Sequence, residues 1–314
     1  MKPKLLNIII VNWNSGDLLT RCINSILVSD LQNIEFSIIV VDNNSKDHSL
    51  IEIPHHENII KIQNSDNKGF AKACNQGINN SDGEFILFLN PDTEIRSKTI
   101  KSSIEFMKNN NSVTVLGCKQ VDKSGVTLRT CARFMTINNH INKLTGLSKL
   151  FPKTFLDYHM LDWDHNNSIE VDHVMGSYYL ISRQKLEEVN LFDENYFIYN
   201  EDLDLSYRIK KNGGKIFFNA DIEIYHEAGG TSKQVKAKRL YYALFSKFQY
   251  FQKHFTTLDF VISLFLLLTI EPVIRIVFAL AKLNLQEVNE TFRAYFLLYQ
   301  TIFGRLSPIK IANN

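Results

Sequence analysis

Neither GxGxxG nor GxxxxGK[ST] occurs at any strand-to-helix turn of this sequence, which excludes a dinucleotide fingerprint and a P-loop. Cysteine is scarce. Cys22, Cys74, Cys118 and Cys131 stand far apart with no CxxC pair; at this size that excludes a disulfide scaffold and leaves free buried thiols in a reducing compartment as the expectation. Charge of either sign is not in excess, 35 Lys+Arg against 33 Asp+Glu, so no general affinity for nucleic acid is expected. Long apolar runs are missing too. Leu5 to Val11 contains Asn7 and stops at Asn12-Trp13-Asn14, too short for a secretory core and without a cleavage site, so it reads as a first strand of a cytoplasmic protein.

What is present is ordinary globular material, 45% hydrophobic and 22% charged over 314 residues, enough for one large domain with an appendage or two modest domains. Charge is uneven along it. Residues 229–314 hold 11 basic and 4 acidic groups, a net of +7, against 24 and 29, a net of −5, before them. This tail is also apolar from Leu258 to Leu283, but Asp259, Glu271, Pro272 and Arg275 interrupt the run. The pieces are shorter than the roughly 20 residues a spanning helix needs, which predicts a flat interfacial helix or re-entrant hairpin. Lys233, Lys236, Lys238, Arg239, Lys247 and Lys253 precede it, placed to meet anionic lipid head groups. The alternative is a helical subdomain packed on the main body or on a second copy.

In residues 1–228 apolar runs alternate with helix-period segments: Leu5 to Val11 then Asp17 to Leu27, Phe36 to Val41 then Lys46 to Ile53, Ile59 to Ile62 then Phe70 to Ile78, Glu84 to Leu89 then Ser97 to Met107. This predicts a βαβ series with a mostly parallel central sheet flanked by helices. Strands Val113 to Val121 and Gly176 to Ser182 follow, then helices Arg183 to Val189 and Glu201 to Lys211, then short strands Lys215 to Phe218 and Ile222 to Tyr225. Between Arg133 and Glu170 the pattern is irregular, as in a functional loop. Ligands of an open parallel sheet bind beyond the carboxyl ends of its strands, and those ends are polar: Asn12-Trp13-Asn14-Ser15, Asp42-Asn43-Asn44-Ser45, Asn67-Lys68-Gly69 and Asn90-Pro91-Asp92.

Each cluster has a structural reading beside its chemical one. Asp42 can accept from a base or ribose, or it makes an Asx turn. Gly69 permits close backbone approach to a ligand, or ends a turn before an amphipathic helix. Asp92 offers a hard cation one carboxylate, or caps a helix. Asn200-Glu201-Asp202-Leu203-Asp204 through Arg208 has an N-cap, an acidic first turn and an i,i+4 pair; beside it, Phe192 to Tyr199 supplies an apolar wall able to raise a carboxylate's pKa for base catalysis. His226 ends a strand as a metal ligand, a phosphate donor or a satisfied histidine.

Taken in order, Val11-Asn12-Trp13-Asn14, Val40 through Ser45, Asn67-Lys68-Gly69-Phe70, Asn90-Pro91-Asp92, Gly176-Ser177, Phe192-Asp193-Glu194, Glu201 through Arg208, and His226 resemble glycosyltransferase family 2, and within it the bacterial rhamnosyltransferase-type branch, over residues 5 to about 232. The resemblance implies a GT-A domain at 1–232 and a basic amphipathic helical region at 233–314. It implies an inverting transfer from a nucleotide-diphosphate sugar, dTDP-rhamnose by preference or a UDP-hexose otherwise, with Mg²⁺ or Mn²⁺ as cofactor. The implied donor side is Asn12, Asp42, Asn44, Asn67, Gly69 and Asn90. Asp92 stands where the DxD motif keeps its last aspartate, and because Asn90 replaces the first, His226 is the implied second metal ligand. Asp202 is the implied base with Glu201 positioning the acceptor, and Gly176, Asp204 and Arg208 fall on the acceptor side. His173 stands where a tryptophan is frequent in this branch. A lipid-linked or polysaccharide acceptor, with a polyprenyl diphosphate as carrier and no nucleic-acid partner, matches a basic, apolar tail on the inner face of a membrane. A nucleotidyltransferase would bring a glycine-rich basic loop after the first strand, which Asn12 to Asp17 lacks; a non-catalytic scaffold would not need Asp92, Asp202 and His226.

Overall fold

The structure is a computed structural model and describes residues 4–227, 236–304 and 311. In chain order the elements are β1 (Leu6–Asn12), α1 (Asp17–Leu27), β2 (Phe36–Asp42), β3 (Ile59–Gln63), α2 (Phe70–Asn79), β4 (Phe85–Leu89), β5 (Thr93–Ile95), α3 (Thr99–Asn109), β6 (Val113–Val121), β7 (Cys131–Ala132), α4 (Ile137–Leu144), α5 (Leu147–Leu150), β8 (Ile169–Val171), β9 (His173–Val174), β10 (Tyr178–Ser182), α6 (Arg183–Glu188), α7 (Glu201–Lys211) and β11 (Lys215–His226). The tail adds α8 (Lys236–His254), α9 (Thr257–Phe265), a π-helical turn (Leu266–Ile270), α10 (Glu271–Ala281) and α11 (Leu285–Ile302).

The main sheet runs β3-β2-β1-β4-β10-β6-β11-β5, with β8 also on β11. Its first four strands are parallel. β10 enters antiparallel between β4 and β6, and β6 and β11 are parallel again. Strand alternation sorts the core into two layers. Ile9, Val11, Ile39 and Val41 face one way with α2 and α7 residues such as Cys74 and Leu205; Ile8, Ile10, Ile38 and Val40 face the other with α1 and α3. α1 buries Leu19, Cys22, Ile23 and Ile26, the spacing of one helical stripe, each apolar side chain contributing about 1.5–3 kcal/mol. All four cysteines are buried free thiols.

Three expectations about elements are corrected. Residues 46–53 form no helix, because side chains capture the backbone there: Asp47 accepts from the N–H groups of Gly16 and Ser49, and Asn14 from that of Lys46, bonds that compete with a helix. The two strands after residue 215 are one, β11, carrying a register irregularity between Asn219 and Glu223, as a bulge allows. The charges and the proline in the tail's apolar run do not break its helix. Thr257–Ala281 is one continuous helix, 25 residues long and with 17% of its most apolar window buried, long and apolar enough to cross a membrane by length and composition.

The predicted division near residue 232 falls among residues 228–235, outside the described residues. On either side of it the cores are shared: Tyr196 and Leu203 pack with Tyr250 and Phe251 of α8, and Phe197 stacks on Tyr242.

Candidate active site

A cavity of about 580 Å³ opens at the carboxyl ends of β1 and β4 and is closed on its other sides by α7, α8 and the segment between β7 and β9. Of the residues singled out in the sequence it gathers Asn67, Gly69, Asn90, Asp92, Gly176, Glu201, Asp202 and His226 on its lining.

Sheet register explains the first pair. β5 is antiparallel to β11 with Thr93 opposite His226, so Asp92, one residue earlier, meets the His226 ring: Oδ1 lies 3.3 Å from Nε2. The other ring nitrogen, Nδ1, is 2.6 Å from Gln120 Oε1, and Gln120 Nε2 donates to Ser177 Oγ at 2.8 Å. An Nδ1–H donated to Gln120 leaves Nε2 with its lone pair toward Asp92. Two cis ligands at octahedral bond lengths are separated by ~3 Å. One carboxylate and one imidazole with that bite fit a divalent cation that completes its shell with diphosphate oxygens and water. Asn90, in the same turn, accepts at its carbonyl from Thr93 N and Oγ1, which fixes the loop carrying Asp92.

The second group sits at the start of α7. Tyr199 and Asn200 both adopt left-handed conformations, with φ of 69° and 59°, and Asn200 makes no side-chain cap, its amide reaching Ser246 Oγ at 3.1 Å instead. The expected N-cap is therefore a tie to α8. A tyrosine in this region is strained, and such strain collects at functional sites. Asp202 Oδ2 accepts from Gly176 N at 2.8 Å and lies 3.7 Å from His173 Nε2. A Cβ on Gly176 would stand 3.2 Å from that oxygen, so glycine admits the approach. His173 is itself anchored, Nδ1 being 2.9 Å from Ser206 Oγ. Burial first, and then the neighbouring Asp202, push the Glu201 carboxyl well above the ordinary range; its Oε2 has no hydrogen-bond partner among the described residues. The carboxyl that burial raises beside the aromatic wall is Glu201, on the cavity lining next to the expected base.

The remaining predicted residues lie elsewhere. Asn12 and Asp42 are fully buried and bonded to each other, Nδ2 to Oδ1 at 2.7 Å, while Ser45 Oγ donates to the same Asp42 oxygen at 2.6 Å. Asn44 is half-buried, with φ of 61°, and accepts from Lys46 Nζ. These three are off the cavity lining and brace the loops behind it. Gly69 is needed for the chain itself: at φ +88° a Cβ would fall 2.5 Å from Phe197 O, the acceptor of the Phe70 N–H. Asp204 and Arg208 are corrected from the acceptor side to a structural bolt. Asp204, with no exposed surface, is 2.8 Å from Arg208 Nε, 2.7 Å from Lys253 Nζ and 2.7 Å from His254 Nε2, and Arg208 also donates to the carbonyls of Val189 and Leu191. Lys247 likewise turns inward to the cavity lining, 3.0 Å from Glu271, and Lys253 pairs with Asp193 and Asp204. Lys233 lies outside the described residues.

The sequence reading missed Gln120, Lys143, His159 and Arg275. Gln120 had a signal, a polar residue near the end of an otherwise apolar strand. Lys143 and His159 had none, since the segment between Arg133 and Glu170 has no periodicity to place them.

The profile of glycosyl transferase family 2 matches residues 7–176, which holds β1 to β9 and Asp92. The chain belongs to glycosyl transferase family 2. This family 2 chain is 23% identical over 235 residues to the poly(ribitol-phosphate) beta-N-acetylglucosaminyltransferase TarP of Staphylococcus aureus (strain N315), covering 71% of each chain. To the rhamnosyltransferase WbbL of Escherichia coli (strain K12) it is 24% identical over 257 residues, covering 78% of this chain and 92% of the relative. It spans between 22% and 71% of the length of the first four curated relatives it matches. Among solved structures, the mannosyltransferase PcManGT from Pyrobaculum calidifontis in complex with GDP-Man and Mn²⁺ superposes with a TM-score of 0.55 at 14% identity, over 99% of this chain and 79% of that one. That likeness gives the fold, which is of the GT-A type.

Proposed function

We propose that this family 2 protein is an inverting glycosyltransferase that moves a sugar, rhamnose from dTDP-rhamnose in the first instance, from a nucleotide-diphosphate donor to a hydroxyl of a lipid-linked or polysaccharide acceptor in bacterial cell-surface glycan synthesis. The observation that carries the reading is the gathering of a backbone-fixed carboxylate, Asp202, and an Asp92–His226 pair on one cavity at the switch side of the sheet. Asp202 takes the acceptor O–H proton as that oxygen bonds the anomeric carbon; the bond from that carbon to the diphosphate breaks, and its electron pair leaves with the diphosphate. One displacement inverts the centre. Gly176 N–H and His173 orient the base, and Glu201 beside it positions the acceptor. Asp92 and His226 would hold Mg²⁺ or Mn²⁺, which when bound neutralises charge on the leaving diphosphate. Asn67 and Asn90 line the donor side, with Asn12, Asp42, Asn44 and Gly69 supporting its loops.

The similarity to WbbL supports rhamnose; the similarity to TarP supports a second reading in which the donor is a UDP-linked sugar. Residues 1–232 are the proposed transferase domain and 233–314 the helical region, whose apolar face meets the inner surface of a membrane. Leu258, Val261 and Phe265 of α9 and Val273, Val277 and Phe278 of α10 are all more than half exposed, a patch far beyond scattered surface apolars.

The test is nucleotide release from dTDP-rhamnose, UDP-glucose, UDP-galactose and UDP-GlcNAc, with Mg²⁺, Mn²⁺ or EDTA. Metal-dependent release from dTDP-rhamnose alone is expected. Release from a UDP-sugar alone moves the substrate to the second reading, and the absence of both release and nucleotide binding refutes the transferase.

A further inference from the structure

The cavity has a cationic end that the transfer chemistry leaves unused. Lys143 of α4, Arg239 and Lys247 of α8 and Arg275 of α10 all line it, drawn from helices that no sequence motif connects. Lys247 and Arg275 share one buried carboxylate, Glu271, at 3.0 Å and 2.7 Å. Lys143 has no carboxylate within ion-pair distance among the described residues; its Nζ donates to Tyr158 Oη at 2.5 Å and to His159 Nε2 at 2.6 Å, which leaves a third N–H for another acceptor. Burial, then the charge of Lys247, lower the Lys143 ammonium to about 8, and Arg275 adds to the same repulsion. His159, held near 4 by burial and by Lys143, stays a neutral acceptor. Like charges gathered in a partly buried place with too few anions are costly to the fold and favourable to an anionic ligand.

We infer that Lys143, Lys247 and Arg275 form an anion subsite for the acceptor, and that the group seated there is the diphosphate joining the acceptor sugar to a lipid. This rests on the transferase reading and names its acceptor. The lipid source is favoured by the position of Arg275: it reaches the cavity from α10, where Phe278, at i+3 and so on a neighbouring position of the helix surface, stands exposed. A diphosphate on Arg275 therefore has an apolar surface beside it for the chain it carries, which a water-soluble phosphate polymer does not use.

The experiment is steady-state transfer by the full chain to three acceptors bearing the same sugar: a short-chain isoprenyl diphosphate, a neutral alkyl glycoside, and a soluble polyol-phosphate oligomer. Lys143→Gln should raise KM for the diphosphate acceptor by about ten-fold or more, the effect of losing one charged hydrogen bond, with kcat and the KM for the nucleotide sugar kept, and Lys143→Arg should restore it. An equal rise on the neutral glycoside, or no rise at all, overturns the subsite. Preference for the oligomer, with the Lys143 effect confined to it, overturns the lipid assignment. Absence of nucleotide release from every donor would instead remove the transferase reading beneath it.

Discussion

Asp202 and Glu201 are neighbours in sequence in different surroundings, one accepting from Gly176 N–H and the other buried with its carboxyl pushed up by that burial. Asp202→Asn should lower kcat about 10²- to 10⁴-fold, the usual worth of a general base, while equilibrium binding of the nucleotide sugar is kept; a matching loss of donor affinity would remove the role. Gln120 acts one contact further out. Gln120→Leu removes the acceptor that orients His226 and should weaken Mn²⁺ activation about 10- to 100-fold, read from the metal concentration at half-maximal nucleotide release. Residues that end strands in polar clusters were readable, because side-chain type and position beyond a strand carry the information. What such a reading misses is direction. Asp42 and Asn12 belong to the same cluster as Asp92, yet their side chains bond each other, and only the three-dimensional register decides which carboxylate faces the cavity.

Helices and strands set by local periodicity, such as α1, β6 and α7, were legible to the residue. Those set by distant partners were not. The proline in the tail shows why. Pro272 has no N–H to give the carbonyl of Leu268, which should break the helix; instead the helix widens into a π turn just before it, and Tyr299 Oη of α11 donates to Leu268 O at 2.6 Å. Tyr299→Phe leaves that carbonyl unsatisfied and should cost about 1 kcal/mol, seen as a lower urea midpoint with unchanged slope. Asp204 is the corresponding tie between α7 and α8. Its replacement by Ala removes the buried acceptor that Arg208, Lys253 and His254 share and should cost about 3–5 kcal/mol, a far larger shift by the same measurement.

The same tie, with two buried histidines, predicts acid sensitivity of the folded chain. Burial opposes ionisation of Asp204, but the His254 hydrogen bond and the Arg208 and Lys253 charges outweigh it and hold it at about 2. Its contribution is complete above the unfolded value near 3.9 and is lost as pH falls toward 2. Burial holds His140 and His165 at about 4; the unfolded chain, with His near 6.5, binds more protons between 4 and 6.5, so stability also falls as pH drops through that window. Urea midpoints at pH 7, 5 and 3 should decline at each step. A flat response from 7 to 5 would contradict the histidine part. On the tail, Val277→Asp with Phe278→Asp should abolish sedimentation with anionic vesicles at low salt if the apolar face meets lipid, and unchanged sedimentation would contradict that.

The strand order also governs how the chain is assembled on the ribosome. Among the described residues, β4, the apolar strand Phe-Ile-Leu-Phe-Leu, lies between β1 and β10, β6 lies between β10 and β11, and β5 pairs with β11. Until β10 emerges, the nascent sheet is the four-stranded parallel half with a greasy, unpaired border. Such a border invites pairing with other chains. A ribosome stalled between β6 and β10 thus displays an unpaired apolar edge, and the pairing that brings His226 to Asp92 must wait for β11 to emerge.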